Sequence, residues 1–116
     1  MMCLSNFTSP KCDAFRSCKE VGLFLRELFT RFNDNEIQYC VLHSYDKLPD
    51  FASSDVDMAI DSSSMEAAER IIFKLSEDMK MKVIQRLLYD IPRCYFYVIF
   101  FRDEKGFPGF IQLEYR

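Results

Sequence analysis

Three carboxylates and one polar loop are the residues of this chain whose types and spacing could do chemistry. Asp55 and Asp57 open a β-prone run, Ser54-Asp55-Val56-Asp57-Met58-Ala59-Ile60-Asp61. Side chains on a strand alternate between its faces, so Asp55, Asp57 and Ala59 share one face and Val56, Met58 and Ile60 the other. Apolar residues inward with paired acids outward make a seat for Mg²⁺, which takes hard oxygen ligands and keeps several waters. The third carboxylate, Glu114, lies in the last β-prone stretch, where Gln112 and Glu114 alternate with Ile111, Leu113 and Tyr115. Chance alone supplies about one Asp-x-Asp pair in a chain with this many aspartates. The elements around the pair must therefore decide what it means.

Those elements read in order as helix, strand, strand, helix and three strands. Val21, Leu25, Leu28, Phe29 and Phe32 recur at helical spacing after a lead-in over residues 1–12. Asp13 is a candidate cap, and Asn33-Asp34-Asn35 is a stop. Ile37 to Leu42 reads as a strand, and the polar loop to Ser54 leads into the acidic strand. Ser63 and Glu66 have capping-box spacing before a second helix with Met65, Ala68, Ile72, Leu75 and Met79 on one side. Asp61 shares the face of the acid pair, yet its place assigns it to the turn beyond the strand. Lys82 to Tyr89 is a further strand, turned by Asp90-Ile91-Pro92-Arg93 into Cys94 to Phe101. That last run is almost wholly apolar, which predicts a central strand covered on both faces. A loop over residues 102–109 then leads to the final strand. The class is α+β: a mixed sheet of about five strands with helices packed on it, in one domain over residues 13–116.

Composition narrows the function. A hydrophobic fraction of 49% with twelve Phe argues for a folded globule, and a net charge of -3 gives no footprint for duplex nucleic acid. Five scattered Cys without a Cys-x-x-Cys pair read as reduced thiols of a cytoplasmic protein. No secretory signal is visible at the N-terminus, and the longest apolar run is far short of the roughly 20 residues that span a bilayer. No membrane association is expected.

The ordered features resemble the nucleotidyltransferase superfamily. A strand ends in a small-residue turn, about ten residues of loop follow, and the next strand opens Ser54-Asp55-Val56-Asp57. Leu42-His43-Ser44-Tyr45 to Leu48-Pro49 before it is similar to the minimal domains of that superfamily associated with bacterial polysaccharide biosynthesis. The resemblance implies Mg²⁺-dependent transfer of a nucleotidyl group from a nucleoside triphosphate such as ATP to a hydroxyl acceptor. It implies that Asp55, Asp57 and Glu114 are metal-holding and catalytic, and that His43, Ser44 and Ser54 bind the nucleotide. It further implies that another domain or partner protein supplies the acceptor site. Two departures stand beside it: His43-Ser44 occupies a turn that carries glycine in the superfamily, and Glu114 stands for an Asp. A glycine turn lets the backbone approach phosphate without an intruding Cβ. The alternative is therefore a catalytically degenerate nucleotide-binding or partner-binding module of the same fold.

Overall fold

The computed structural model describes residues 19–42, 56–88 and 94–116. The lead-in, the Asp13 cap, the loop over residues 43–55 and the turn over residues 89–93 lie outside the described residues. What is described is an α+β fold, with two helices against one face of a five-stranded mixed sheet.

Helix α1 (Lys19–Asp34) buries Val21, Phe24, Leu25, Leu28 and Phe32, the apolar stripe that a 3.6-residue period puts on one side. Each large side chain taken wholly out of water contributes about 1.5–3 kcal/mol. The helix ends in a left-handed residue, Glu36 at φ 58°, while the Ile37 N–H donates to the Phe32 carbonyl at 2.9 Å. Helix α2 (Met65–Asp78) buries Ala68, Ile72, Leu75 and Ser76 and ends the same way. Lys80 stands at φ 60° and the Met81 N–H reaches the Ser76 carbonyl at 2.8 Å. Ile37 and Met81 then dip into the core, completing two hydrophobic C-terminal stops.

The start of α2 corrects the capping box expected from Ser63 and Glu66. Ser64 is the capping residue and its side chain makes no capping bond. Asp61 instead accepts from the Ser63 N–H at 3.1 Å and from the Ser63 hydroxyl, closing a 3₁₀ turn over Ser62–Ser64. Those bonds hold the Asp61 carboxyl below the usual carboxylate range. A short Asx-type bond within two residues competes with the capping box for the same backbone groups.

The strands are β1 (Tyr39–Val41), β2 (Val56–Ile60), β3 (Lys82–Leu88), β4 (Tyr95–Arg102) and β5 (Pro108–Tyr115). Their order across the sheet is β1-β2-β5-β4-β3. β5 runs parallel to β2 and antiparallel to β4; the two outer pairings are antiparallel. The helix-facing side holds Val56, Met58, Ile60, Tyr97, Ile99, Phe101, Ile111, Leu113 and Tyr115, all buried. Strand β4 is internal as expected, but it is not covered equally. Phe96, Val98 and Phe100 on its far face are only half-buried, because both described helices lie on the other side. Among the described residues no helix is long and apolar enough to cross a membrane.

Candidate functional site

The sheet's far face is where two of the sequence-predicted acids, Asp57 and Glu114, stand side by side. β2 is held from both sides: the Leu42 N–H donates to the Asp57 carbonyl at 2.9 Å, and the Arg116 N–H donates to the Met58 carbonyl at 3.2 Å. The Ile60 N–H, in turn, reaches the Arg116 carbonyl at 2.8 Å. That ladder sets the register Val56↔Leu113, Asp57↔Glu114 and Met58↔Tyr115. Val56, Leu113, Met58 and Tyr115 are buried against the helices, so alternation turns Asp57 and Glu114 together to the opposite face. They stand beside one another on adjacent strands, each half-buried. A site built on two hydrogen-bonded strands is held more firmly than one on a loop.

The row continues across the sheet. Glu114 is the register partner of Phe96 on β4, and Phe96 of Leu87 on β3. From β2 to β3, therefore, two acids are followed by two apolar side chains. At the acid end the Cys94 thiol is buried and donates to Glu114 Oε2 at 3.7 Å. Burial pushes this thiol up, and the negative charges of Glu114 and Asp57 push it further, with Arg116 opposing. The Arg116 guanidinium approaches Glu114 Oε2 at 3.4 Å.

Two carboxylates in register are the hard oxygen donors that suit Mg²⁺, which binds through one or two protein carboxylates plus phosphates and water. The Cys94 thiol is a soft donor and does not belong to such a set. Among the described residues no three His, Cys, Asp or Glu side chains are grouped to hold a metal ion. Asp55, His43, Ser44 and Ser54 lie outside the described residues.

A second polar cluster, not expected from the sequence, lies on the helix side of the same strands. The Tyr97 hydroxyl donates to Glu69 Oε2 of α2 at 2.7 Å. Its only proton is thereby spent, so the Tyr115 hydroxyl is the donor in the 3.0 Å contact between the two phenols. Arg86 on β3 pairs with Glu69 through Nε and, at 3.3 Å, through Nη2, while its guanidinium lies over the Tyr95 ring at 5.2 Å. Tyr95 stacks in turn on Tyr115 with ring centroids 5.5 Å apart. Burial pushes Tyr97 up and takes Tyr115 to about 12, so both stay neutral. Burial alone would raise the Glu69 carboxyl, but the bonds from Arg86 and Tyr97 outweigh it and leave it below the usual range. The one sequence signal was the alternation of Tyr95 and Tyr97 on β4, with Tyr115 on the same face of β5. Compared with known proteins, the chain matches no family model and no curated protein sequence.

Proposed function

We propose that this protein is a Mg²⁺-dependent nucleotidyltransferase-like domain acting on a nucleoside triphosphate and a hydroxyl acceptor. The observation that carries the reading is the pairing of Asp57 with Glu114 in register on parallel neighbouring strands, both on the face away from the helices. Asp57 and Glu114 would hold the ion, and the resemblance adds Asp55, which lies outside the described residues. When bound, Mg²⁺ offsets the charge of the triphosphate and of the leaving pyrophosphate. The acceptor oxygen attacks the α-phosphorus, the bond to pyrophosphate breaks, and the hydroxyl proton passes to a carboxylate. Glu114 is suited to that role because it stands half-buried beside Cys94 and next in register to Asp57. The likeness to polysaccharide-associated domains favours a sugar hydroxyl as acceptor, presented by a further domain or partner in the cytoplasm. His43, Ser44 and Ser54 take the nucleotide's phosphates in this reading.

The test is a thermal shift with ATP and Mg²⁺ together and each alone, followed by assay of pyrophosphate release. Stabilisation should require both, and Asp57→Asn with Glu114→Gln should abolish it. If the double variant bound Mg²⁺–ATP as tightly as the parent, the assignment of these two acids would be wrong. A second reading has an observation of its own: Arg116 and Cys94 already engage Glu114. In a degenerate module such contacts replace the metal. Nucleotide binding without pyrophosphate release, or no shift at all, selects it.

A further inference from the structure

Glu114 holds its two carboxylate oxygens differently. The Cys94 thiol donates to Oε2 at 3.7 Å, and the Arg116 Nη2 approaches the same oxygen at 3.4 Å. Among the described residues no bond reaches Oε1. Glu69, on the other face of the sheet, is the contrast. Its Oε2 accepts from the Tyr97 hydroxyl and the Arg86 Nε, and its Oε1 from the Arg86 Nη2. Glu69 is thus bound at both oxygens and Glu114 at one. The Glu114 side chain is only 18% exposed. A largely shielded carboxylate oxygen without a donor is one that a ligand or water must serve.

The sheet itself sets where the two donors stand. Strands β4 and β5 pair through Tyr95↔Tyr115, and Cys94 and Arg116 each lie one residue beyond that pair. Their side chains meet Glu114 on the far face, while Asp57 stands beside it on β2. Arg116 is pinned through its backbone: its N–H donates to the Met58 carbonyl, and its carbonyl accepts from the Ile60 N–H. Cys94 is 3% exposed, which leaves its thiol little room to swing away.

We propose that Cys94 and Arg116 are positioning residues that tie back Glu114 Oε2 and so present Oε1, beside Asp57, to a divalent cation. That role, which rests on the function proposed above, assigns the oxygen of Glu114 that meets the cation. Side-chain torsions fixed beforehand are not lost on binding, so the clamp raises affinity without itself touching the ion. The thiol is too soft a donor to join the ligand set. What matters at residue 94 is a hydrogen to donate: Cys94→Ser keeps one, Cys94→Ala removes it, and neither adds a charge.

The test is a titration of the full chain with Mn²⁺ alone, read by water-proton relaxation, since Mn²⁺ shares the preference of Mg²⁺ for carboxylates and water. Cys94→Ala should weaken binding about threefold or more, and Cys94→Ser should restore it to within about twofold of the parent. Cys94→Val and Cys94→Thr, alike in shape and differing in the donor, should repeat the contrast. If Mn²⁺ binds the parent and these pairs do not differ, the positioning role is overturned and the acid pair keeps its cation. If the parent binds no Mn²⁺, the acid pair is not a cation site, and the proposed function falls together with the positioning role.

Discussion

Glu114 and Tyr115 are neighbours on β5, yet they enter two polar clusters built on opposite principles. On the helix side, Tyr115, Tyr97, Glu69 and Arg86 form a chain in which each donor meets an acceptor and the charges are of opposite sign. The cluster closes on itself. On the far side, Asp57 and Glu114 are two like charges in register on adjacent strands, with the Arg116 guanidinium 3.4 Å from Glu114 and the Cys94 thiol beside it. The first cluster ties α2 to the sheet through Glu69, whereas the second keeps two carboxylates side by side, where the proposed function looks for its ion. The two faces of one strand thus separate stability from candidate function.

The largest break in this comparison should come from Glu69→Ala. It leaves the Tyr97 hydroxyl, wholly buried, without its acceptor and Arg86 without its carboxylate. Removing the acceptor of charge-assisted bonds costs about 2–3 kcal/mol, measurable as a lower midpoint in urea unfolding. The same residue sets a pH dependence. Its folded pKa lies below the ordinary value, so its contribution is present above the unfolded pKa of about 4.3. It is lost as pH falls through the lowered folded value. Glu69→Gln should remove that limb of the acid-unfolding curve. An unchanged curve would show that the cluster does not hold the helix to the sheet.

A smaller loss is expected for Tyr97→Phe, about 1–2 kcal/mol. The ring and its edge contact with Phe73 at 6.0 Å remain, but the Tyr115 hydroxyl loses its acceptor and stays buried. Tyr115→Phe should cost less, because Tyr97 keeps its bond to Glu69. If the two variants cost the same, the direction of donation assigned to the phenols is wrong.

How much of this was legible beforehand differs between the two faces. The period of two in Val56-Asp57-Met58 and in Leu113-Glu114-Tyr115 already placed each acid opposite its apolar neighbours, and the α+β class followed from the element order. That the two acids are neighbours depends on β5 inserting between β2 and β4, a pairing between distant parts of the chain. Local pattern carries no term for it. Glu69 flanks the apolar stripe of α2 and reads there as a solvated helix charge. Its role exists only because Arg86 and Tyr97 arrive from two other strands. The unequal cover of β4 was hidden for the same kind of reason: an apolar run is required by burial on both faces and permitted by burial on one.

The finest distinction between the faces is electrostatic and can be read at Cys94. Its thiol is raised first by burial and then by the negative charges of Glu114 and Asp57, while Arg116 pulls the other way. Glu114→Gln removes one negative charge and keeps the side chain's shape, so the thiol pKa should fall without reaching the ordinary value, since burial remains. The measurement is thiolate absorbance against pH, taken as the difference between the protein and its Cys94→Ser variant, in each Glu114 background. Global stability should move by less than about 0.5 kcal/mol, as for substitutions away from the core. A thiol indifferent to Glu114→Gln would separate Cys94 from the acid pair. A large loss of stability would mean that the far face, too, is built to hold the fold.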